Sequence, residues 1–173
     1  HADFAYGKVV NDFIKEQNFP PRSKILCLAE GEGRNGVYLA KLGHIVTCID
    51  YSESGILKMR KLAEEEHVTI ETISADFNDV DLEHEAWDGI VIIFGHFPTS
   101  LRKKIHQQVY GALKHGGTLI LEAYHKNQID FQTGGPVNTE MLYSIEELAS
   151  DFSAFTNLSI EVKIRKVEEG HFH

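Results

Sequence analysis

The chain carries the run Ile25-Leu26-Cys27-Leu28-Ala29-Glu30-Gly31-Glu32-Gly33-Arg34-Asn35-Gly36, and a second apolar run follows it and ends in Asp50. An apolar segment that breaks into glycines, continues as a helix pattern and leads to a carboxylate is typical of a nucleotide-handling βαβ unit. The glycines let the backbone approach a ligand, the helix start offers free N–H groups, and the carboxylate can accept both ribose hydroxyls. We therefore expect an adenosine-bearing ligand.

Length and charge narrow the class of protein. A chain of 173 residues predicts a single domain over residues 1–173, and its formal charge of -9 disfavours nucleic acid and anionic membranes as partners. The chain has no apolar run of the roughly 20 residues that span a bilayer and no signal-peptide pattern, so we expect a cytoplasmic protein. Cys27 and Cys48 both lie in apolar strand runs, which favours buried free thiols over a disulfide.

Strand and helix patterns alternate along the chain. The predicted strands are residues 24–29, 45–50, 69–74, 87–94, 118–123 and 158–167. The predicted helices are residues 9–17, 35–42, 52–67 and 101–113, and a further helix starts at the capping box of Ser144 and Glu147. This order predicts an α/β fold, a doubly wound and mostly parallel sheet with helices on both faces. Ligands of such sheets bind outside the carboxyl ends of the strands.

The placement of the glycines separates two ligand classes. Residues 31–36 match the dinucleotide pattern GxGxxG, but Ala29 stands where the first glycine of that pattern ends the strand. The turn before the helix is therefore longer, which suits a ligand with an amino-acid tail and a sulfur centre better than one with a pyrophosphate. A plain tight connection between strand and helix is the structural alternative.

Two strand ends carry carboxylates. Asp50 ends the second predicted strand, and Asp76 follows the third beside Phe77. The topology brings both ends to one cleft, where Asp50 would hold the ribose hydroxyls and Asp76 would accept from the adenine amine. Phe77 would contribute its backbone N–H or its ring face.

Together these motifs resemble class I S-adenosylmethionine-dependent methyltransferases. The resemblance rests on an ordered set of segments: residues 28–33, Asp50, residues 76–77, 87–91 and 113–119. Residues 33–35, 93–98, 121–124, 134–136 and 142–143 are similar to the branch that contains the tellurite-resistance and thiopurine methyltransferases. The resemblance covers nearly the whole chain and implies a Rossmann-like fold.

The resemblance implies S-adenosylmethionine as cofactor and a small-molecule methyl acceptor, with a soft nucleophile such as a thiol or a tellurium or selenium oxyanion favoured. The residues it places at the cofactor are Ala29, Glu30, Gly31, Gly33, Arg34, Asp50, Tyr51, Asp76, Phe77 and Phe94. The residues it places near the acceptor are Tyr6, Phe97, Tyr124 and Tyr143. His96 is the candidate base, because imidazole titrates near neutral pH. Arg34 would pair with an anion of a ligand, or with Glu30 or Glu32.

The chain also departs from that family's pattern. Cys27 stands where the first strand usually carries an acidic residue, and Glu30 or Glu32 could replace it from the turn. We expect the last strand of the family's closing hairpin to be missing, which would leave a sheet edge open to a homodimer. The alternatives are a cofactor-binding protein without turnover and a nicotinamide-dependent oxidoreductase. The histidines show no HExxH spacing, so we predict no metal site.

Overall fold

The computed structural model describes residues 4–131 and 133–165. In this part of the chain one parallel sheet has five strands: β1 (Lys24–Leu28), β2 (Ile45–Asp50), β3 (Glu71–Ser74), β4 (Trp87–Ile93) and β5 (Leu113–Glu122). Their spatial order is β3-β2-β1-β4-β5. The order reverses between β1 and β4, so the ligand crevice of such a sheet lies at the carboxyl ends of these two strands. The predicted fold class is confirmed.

The helices of the described residues are α1 (Asp12–Lys15), α2 (Arg34–Lys41), α3 (Glu53–Glu65), α4 (Thr99–Ala112), α5 (Gln128–Phe131) and α6 (Ile145–Asp151), with a 3₁₀ turn at Thr139–Met141. Of these helices, α2, α3 and α4 connect strands of the sheet, α1 precedes β1, and α5 and α6 follow β5. The predicted capping box is present, because Ser144 accepts from the Glu147 amide and Glu147 accepts from the Ser144 amide. None of the described helices is long and apolar enough to cross a membrane.

The strands β1 and β4 bury alternate side chains on the two faces of the sheet. One face packs against α4 and α6, and its cluster includes Leu26, Leu28, Ile90, Ile92, Ile105, Val109 and Phe152. The other face packs against α1, α2 and α3, and its cluster includes Ile25, Cys27, Val91, Ile93, Ile14, Leu39 and Met59. Both faces of the central strands are therefore covered, which is why their sequences are continuously apolar.

The opening helix is shorter than predicted. It starts after Asn11, whose side chain accepts from the Ile14 amide as an N-cap, and it ends at Lys15 instead of extending over residues 9–17. The Asn11 amide donates to Asn35 Oδ1 at 2.9 Å, so this residue is bonded to α2 and the helix cannot begin earlier.

The predicted sixth strand is wrong in the part that the structure describes. Residues 158–165 form no strand and are mostly exposed, while residues 166 and 167 of that prediction lie outside the described residues. An alternating pattern predicts a strand only where a neighbour can take its backbone hydrogen bonds, and no described strand pairs with this segment. The outer edge of β5 thus lacks a neighbour among the described strands, and dimerisation through it stays a prediction.

Candidate active site

The turn after β1 brings its backbone to the crevice in a left-handed conformation. The φ angles are 52° at Ala29, 64° at Gly31 and 93° at Gly33. A Cβ at Gly31 would meet nothing within 4 Å, whereas one at Gly33 would lie 2.3 Å from Met59 Cγ. Gly31 therefore faces open space that a ligand can enter. Position 33 has no room for a side chain, because α2 packs closely on α3 there.

Glu30 occupies the start of α2. Its Oε1 accepts from the Asn35 and Gly36 amides at 2.8 Å each, and the side chain is buried. Gly33, the N-cap residue of α2, makes no side-chain cap, so the carboxyl of Glu30 satisfies amides that the cap leaves open. The expectation that the helix start offers these N–H groups to a ligand is therefore wrong for both amides.

Burial changes the ionisation of this carboxyl. Removal from water raises the pKa of Glu30 to about 7, against the opposite influence of the two amides and of the Arg34 charge. Cys27 and Cys48 lie side by side on β1 and β2 as buried free thiols, and their mutual hydrogen bond and burial raise the pKa of Cys27. Both predictions for the cysteines, burial and the absence of a disulfide between them, agree with the structure.

Asp50 joins the turn after β1 to the turn after β2. Its Oδ2 accepts from the Gly31 amide and its Oδ1 from the Ser52 amide, each at 2.8 Å, and 4% of the residue is exposed. Tyr51 beside it is 75% exposed. Each carboxylate oxygen has a second lone pair for a ligand hydroxyl, so the predicted ribose contact is compatible with this geometry and stays a prediction.

Of the third predicted group of ligand contacts, Asp76 and Phe77, only part is accessible to a ligand. Asp76 is exposed, and its Oδ1 accepts from the backbone and side-chain nitrogens of Asn78 at 2.8 and 2.9 Å. These hydrogen bonds hold the pKa of Asp76 below its ordinary value. Phe77 and Phe97 are both buried and pack edge to face with ring centroids 5.0 Å apart. Their rings belong to the core, which leaves the backbone N–H as the predicted contribution of Phe77 and does not support a ligand contact by the Phe97 ring.

Three aromatic side chains meet at the ends of β4 and β5. Phe94 stacks on Tyr124 with centroids 4.7 Å apart and planes at 24°, and His96 stacks on Tyr124 at 5.8 Å and 18°. We call Phe94, His96 and Tyr124 the aromatic group. Phe94 has a φ of 52°, and its amide donates to the Glu122 carbonyl, so the chain turns sharply where the ring enters the crevice. The structure thus brings together three residues that the sequence placed in separate roles.

The charged residues of the turn are already engaged within the protein. Glu32 pairs with Lys58 and accepts from the Tyr6 amide at 3.4 Å. Arg34 is buried, its Nη1 donates to the Val9 carbonyl at 3.5 Å, and its charge lowers the pKa of Glu30. Tyr6 is 42% exposed beside this turn.

Tyr143 lies behind the aromatic group. It is 2% exposed, its hydroxyl donates to the Gly95 carbonyl at 3.1 Å, and burial raises its pKa to about 12. An acceptor could reach this side chain only if the surrounding loops moved. The expectation that Tyr143 contacts the acceptor is therefore not supported, and its observed contact is with the backbone that carries His96.

Sequence reasoning missed Glu122, the last residue of β5. Its Oε2 accepts from Asn11 Nδ2 at 2.7 Å, and its Oε1 accepts from Arg165 Nη2 at 2.6 Å. The carboxylate therefore fastens both the opening segment and residue 165 to the end of the sheet. The signal that identified Asp50, a carboxylate at a strand end, was also present here.

Two cavities lie away from the strand ends. The first, of about 400 Å³, lies between α4 and α6 and is lined by Lys103, His106, Gln107, Tyr110, Asp151 and Ala154. The second, of about 340 Å³, is lined by Thr99, Lys126, Thr139, Glu140 and Glu147. Neither is lined by a predicted cofactor residue. We place the site at the strand ends because the glycine turn, Asp50 and the aromatic group converge there.

These features define an α/β cofactor-binding domain whose first turn suits an adenosine ligand without a pyrophosphate. Residues 25–117, more than half of the 173, match the family model described as "Methyltransferase domain". The chain therefore belongs to the methyltransferase domain family. This confirms the resemblance to class I methyltransferases, and S-adenosylmethionine is the cofactor that the family implies.

Named relatives agree with this assignment. "Uncharacterized methyltransferase YbaJ" of Bacillus subtilis is 34% identical over 105 residues, 59% of this chain and 41% of that protein. "Probable S-adenosyl-L-methionine-dependent methyltransferase TehB" of Haemophilus influenzae is 38% identical over 68 residues, 39% of this chain and 23% of that protein. The chain thus matches less than half the length of these relatives, and the resemblance to the tellurite-resistance branch is a partial one.

The fold is shared with solved structures. A SAM-dependent methyltransferase from Aquifex aeolicus has a TM-score of 0.66 at 20% identity, over 82% of this chain and 75% of that chain. At this identity the similarity extends to the fold and not to the acceptor.

Proposed function

We propose that this domain transfers the methyl group of S-adenosylmethionine to the sulfur of a small thiol. The observation that carries the proposal is the aromatic group, which stands at the ends of β4 and β5 across the switch point from the open face of Gly31. Phe94 is half-buried and stacks on Tyr124, and the other face of its ring is the proposed contact for a cation, because the quadrupole of an aromatic ring attracts positive charge within about 6 Å. A sulfonium is such a cation.

The residues of the turn fit the cofactor. Gly31 leaves room for close approach, Asp50 keeps lone pairs for ribose hydroxyls, and Asp76 is exposed at the adjacent strand end. When bound, S-adenosylmethionine supplies an activated methyl group whose leaving group is a neutral thioether. The protein's part is to align the acceptor, and correct orientation can lower the activation barrier by about 7 to 11 kcal/mol.

Charge favours a thiol over a tellurium or selenium oxyanion. The carboxylates of Asp50 and Asp76 stand at the ends of the neighbouring strands β2 and β3, and they would repel an anionic acceptor that enters the crevice from solvent. A thiol is neutral when it binds and becomes nucleophilic only after it loses its proton.

His96 is the proposed base. In the proposed step the acceptor sulfur forms a bond to the methyl carbon while the bond from that carbon to the sulfonium sulfur breaks. The thiol proton passes to His96 and from there to water. Imidazole is the side chain that most often takes up a proton near neutral pH.

Calorimetry and methyl transfer test this proposal together. We expect S-adenosylhomocysteine to bind and NAD not to bind, and we expect product from phenylmethanethiol but none from tellurite, selenite or benzylamine. Binding without transfer to any acceptor would identify a protein without turnover, and binding of NAD would identify an oxidoreductase.

The role of His96 needs a matched control. His96→Gln should shift the rise of kcat toward the pKa of the free thiol while the affinity for S-adenosylhomocysteine is kept. His115→Gln removes an exposed imidazole near the start of β5, at the opposite end of the strands, and should leave the profile unchanged. A His96→Gln profile equal to that of the wild type would exclude His96 as the base.

A further inference from the structure

Residues 126–142 form a loop that leaves β5 and returns to the same place. His125 and Tyr143 form an isolated bridge, in which the Lys126 amide donates to the Tyr143 carbonyl and the Tyr143 amide to the Tyr124 carbonyl, at 2.9 Å each. A surface loop whose ends are joined in this way is packed by its own residues. We call residues 126–142 the return loop.

The return loop is folded onto the aromatic group. Gln128 Nε2 donates to Thr133 Oγ1 at 2.9 Å and to the Gly134 carbonyl at 3.0 Å, which holds the glycines in place. Gly135 has a φ of +98°, and a Cβ there would lie 3.0 Å from Tyr124 Cδ2 and 3.1 Å from Cε2. The Tyr124 ring is therefore in contact with the backbone of Gly135 as well as with Phe94.

The end of the return loop is bonded to the other side of the same group. The Tyr143 hydroxyl donates to the Gly95 carbonyl, between Phe94 and His96 in the chain. The Arg102 guanidinium lies 4.8 Å from the centroid of the Tyr143 ring and donates to the Leu142 carbonyl at 3.4 Å. The return loop and the turn after β4 are thus one connected wall around Tyr124.

We propose that the return loop selects the methyl acceptor and that Gly135 is the specificity-determining residue. This inference rests on the proposed function, because it concerns where the thiol is seated. Because Gly135 has no side chain, the Tyr124 ring packs directly against the backbone of the return loop. A side chain at this position would push the ring away from the loop and narrow the space for the substituent of the acceptor. The expected acceptor is a thiol with a flat aromatic substituent, which would pack beside this wall.

The test compares two glycines that both have a positive φ angle. Gly135→Ala and Gly116→Ala both place a side chain at positive φ, +98° and +79°, but a Cβ at Gly116 meets nothing within 4 Å. The kcat/KM of each variant is measured with phenylmethanethiol and with 2-naphthylmethanethiol, and the affinity for S-adenosylhomocysteine is measured by calorimetry. In Gly135→Ala we expect the ratio of the naphthyl to the phenyl substrate to fall about tenfold, a typical effect of steric change in an apolar pocket.

The outcomes separate the two proposals. Gly116→Ala should keep the wild-type ratio, and all three proteins should bind S-adenosylhomocysteine equally. If the wild type transfers methyl to thiols and the Gly135→Ala ratio is unchanged, this inference is wrong and the proposed function stands. If the wild type transfers to no thiol, the proposed function is wrong and this inference with it.

A second variant isolates the ring. In a Tyr124→Ala background the substitution Gly135→Ala has no ring to displace, so it should leave the acceptor ratio unchanged. The same background relieves the collision if Gly135→Ala alone folds poorly. A full Gly135→Ala effect in the absence of the ring would overturn the inference, because the loop would then act without Tyr124.

Discussion

Glu30→Gln tests whether one buried carboxyl controls how the stability of this domain depends on pH. Burial raises the pKa of Glu30 from 4.5 to about 7, so between these pH values the folded protein keeps a proton that the unfolded chain has released. The contribution of Glu30 to the free energy of unfolding therefore falls as pH rises through this window and is constant above it. At 1.36 kcal/mol per pKa unit, the carboxyl accounts for a loss of about 3 kcal/mol.

The glutamine variant keeps the acceptor but cannot ionise. Its Oε1 can still accept from the Asn35 and Gly36 amides, so the fold of the turn should be retained. Urea unfolding at pH 5, 6, 7 and 8 gives the free energy of each protein, and the difference between wild type and variant removes the contribution of every other titrating group. We expect this difference to change by about 2 to 3 kcal/mol from pH 5 to pH 8.

Glu65→Gln is the matched control for loss of one negative charge. Lys8 holds the pKa of Glu65 below its ordinary value, so this carboxyl stays ionised from pH 5 to pH 8 and its difference curve should be flat. A flat curve for Glu30→Gln as well would refute the reasoning. It would mean that the two amides and the Arg34 charge outweigh burial and hold Glu30 ionised throughout.

Three further substitutions test separate contacts. Asp50→Ala leaves two backbone N–H groups without their acceptor and should weaken binding of S-adenosylhomocysteine by about 1 to 3 kcal/mol, and unchanged affinity would remove Asp50 from the site. Gly36→Ala places a Cβ 2.4 Å from Cys48 Sγ and should lower the free energy of unfolding by about 1 to 3 kcal/mol. Adding Cys48→Ala should restore most of this loss, whereas additive effects of the two substitutions would show that the residues do not collide. Burial lowers the pKa of His106, so the wild type should lose stability relative to His106→Gln as pH falls below 6.5, and parallel urea titrations of the two proteins would contradict this.

The features that could be predicted from the sequence are those set by neighbouring residues. The apolar runs of β1, β2 and β4 and the glycine turn are local signals, and Asp50 is found because a strand ends at it. The capping box of α6 is equally local. These elements were predicted within one or two residues, because periodicity and turn chemistry act over a single turn or strand.

The features that could not be predicted depend on contacts between distant segments. Glu30 and Glu32 are equally placed in the sequence, and only the left-handed turn at Ala29 and Gly31 directs the first toward α2 and the second toward Lys58. Residues 158–165 alternate like a strand but pair with no strand of the described chain. The burial of Tyr143 follows from the return of its loop to the end of β5, which leaves no short pattern in the sequence.

The departure at Cys27 and the choice of ligand have one physical origin. The structure puts the acidic group of the first motif on the turn, at Glu30, and its carboxyl already fills the start of α2. The phosphate of a dinucleotide that needs the same amides would have to displace this carboxyl, which accepts from both of them. A cofactor without a pyrophosphate does not need these amides. We therefore expect Glu30 to disfavour a pyrophosphate at this turn and to leave the turn suited to S-adenosylmethionine.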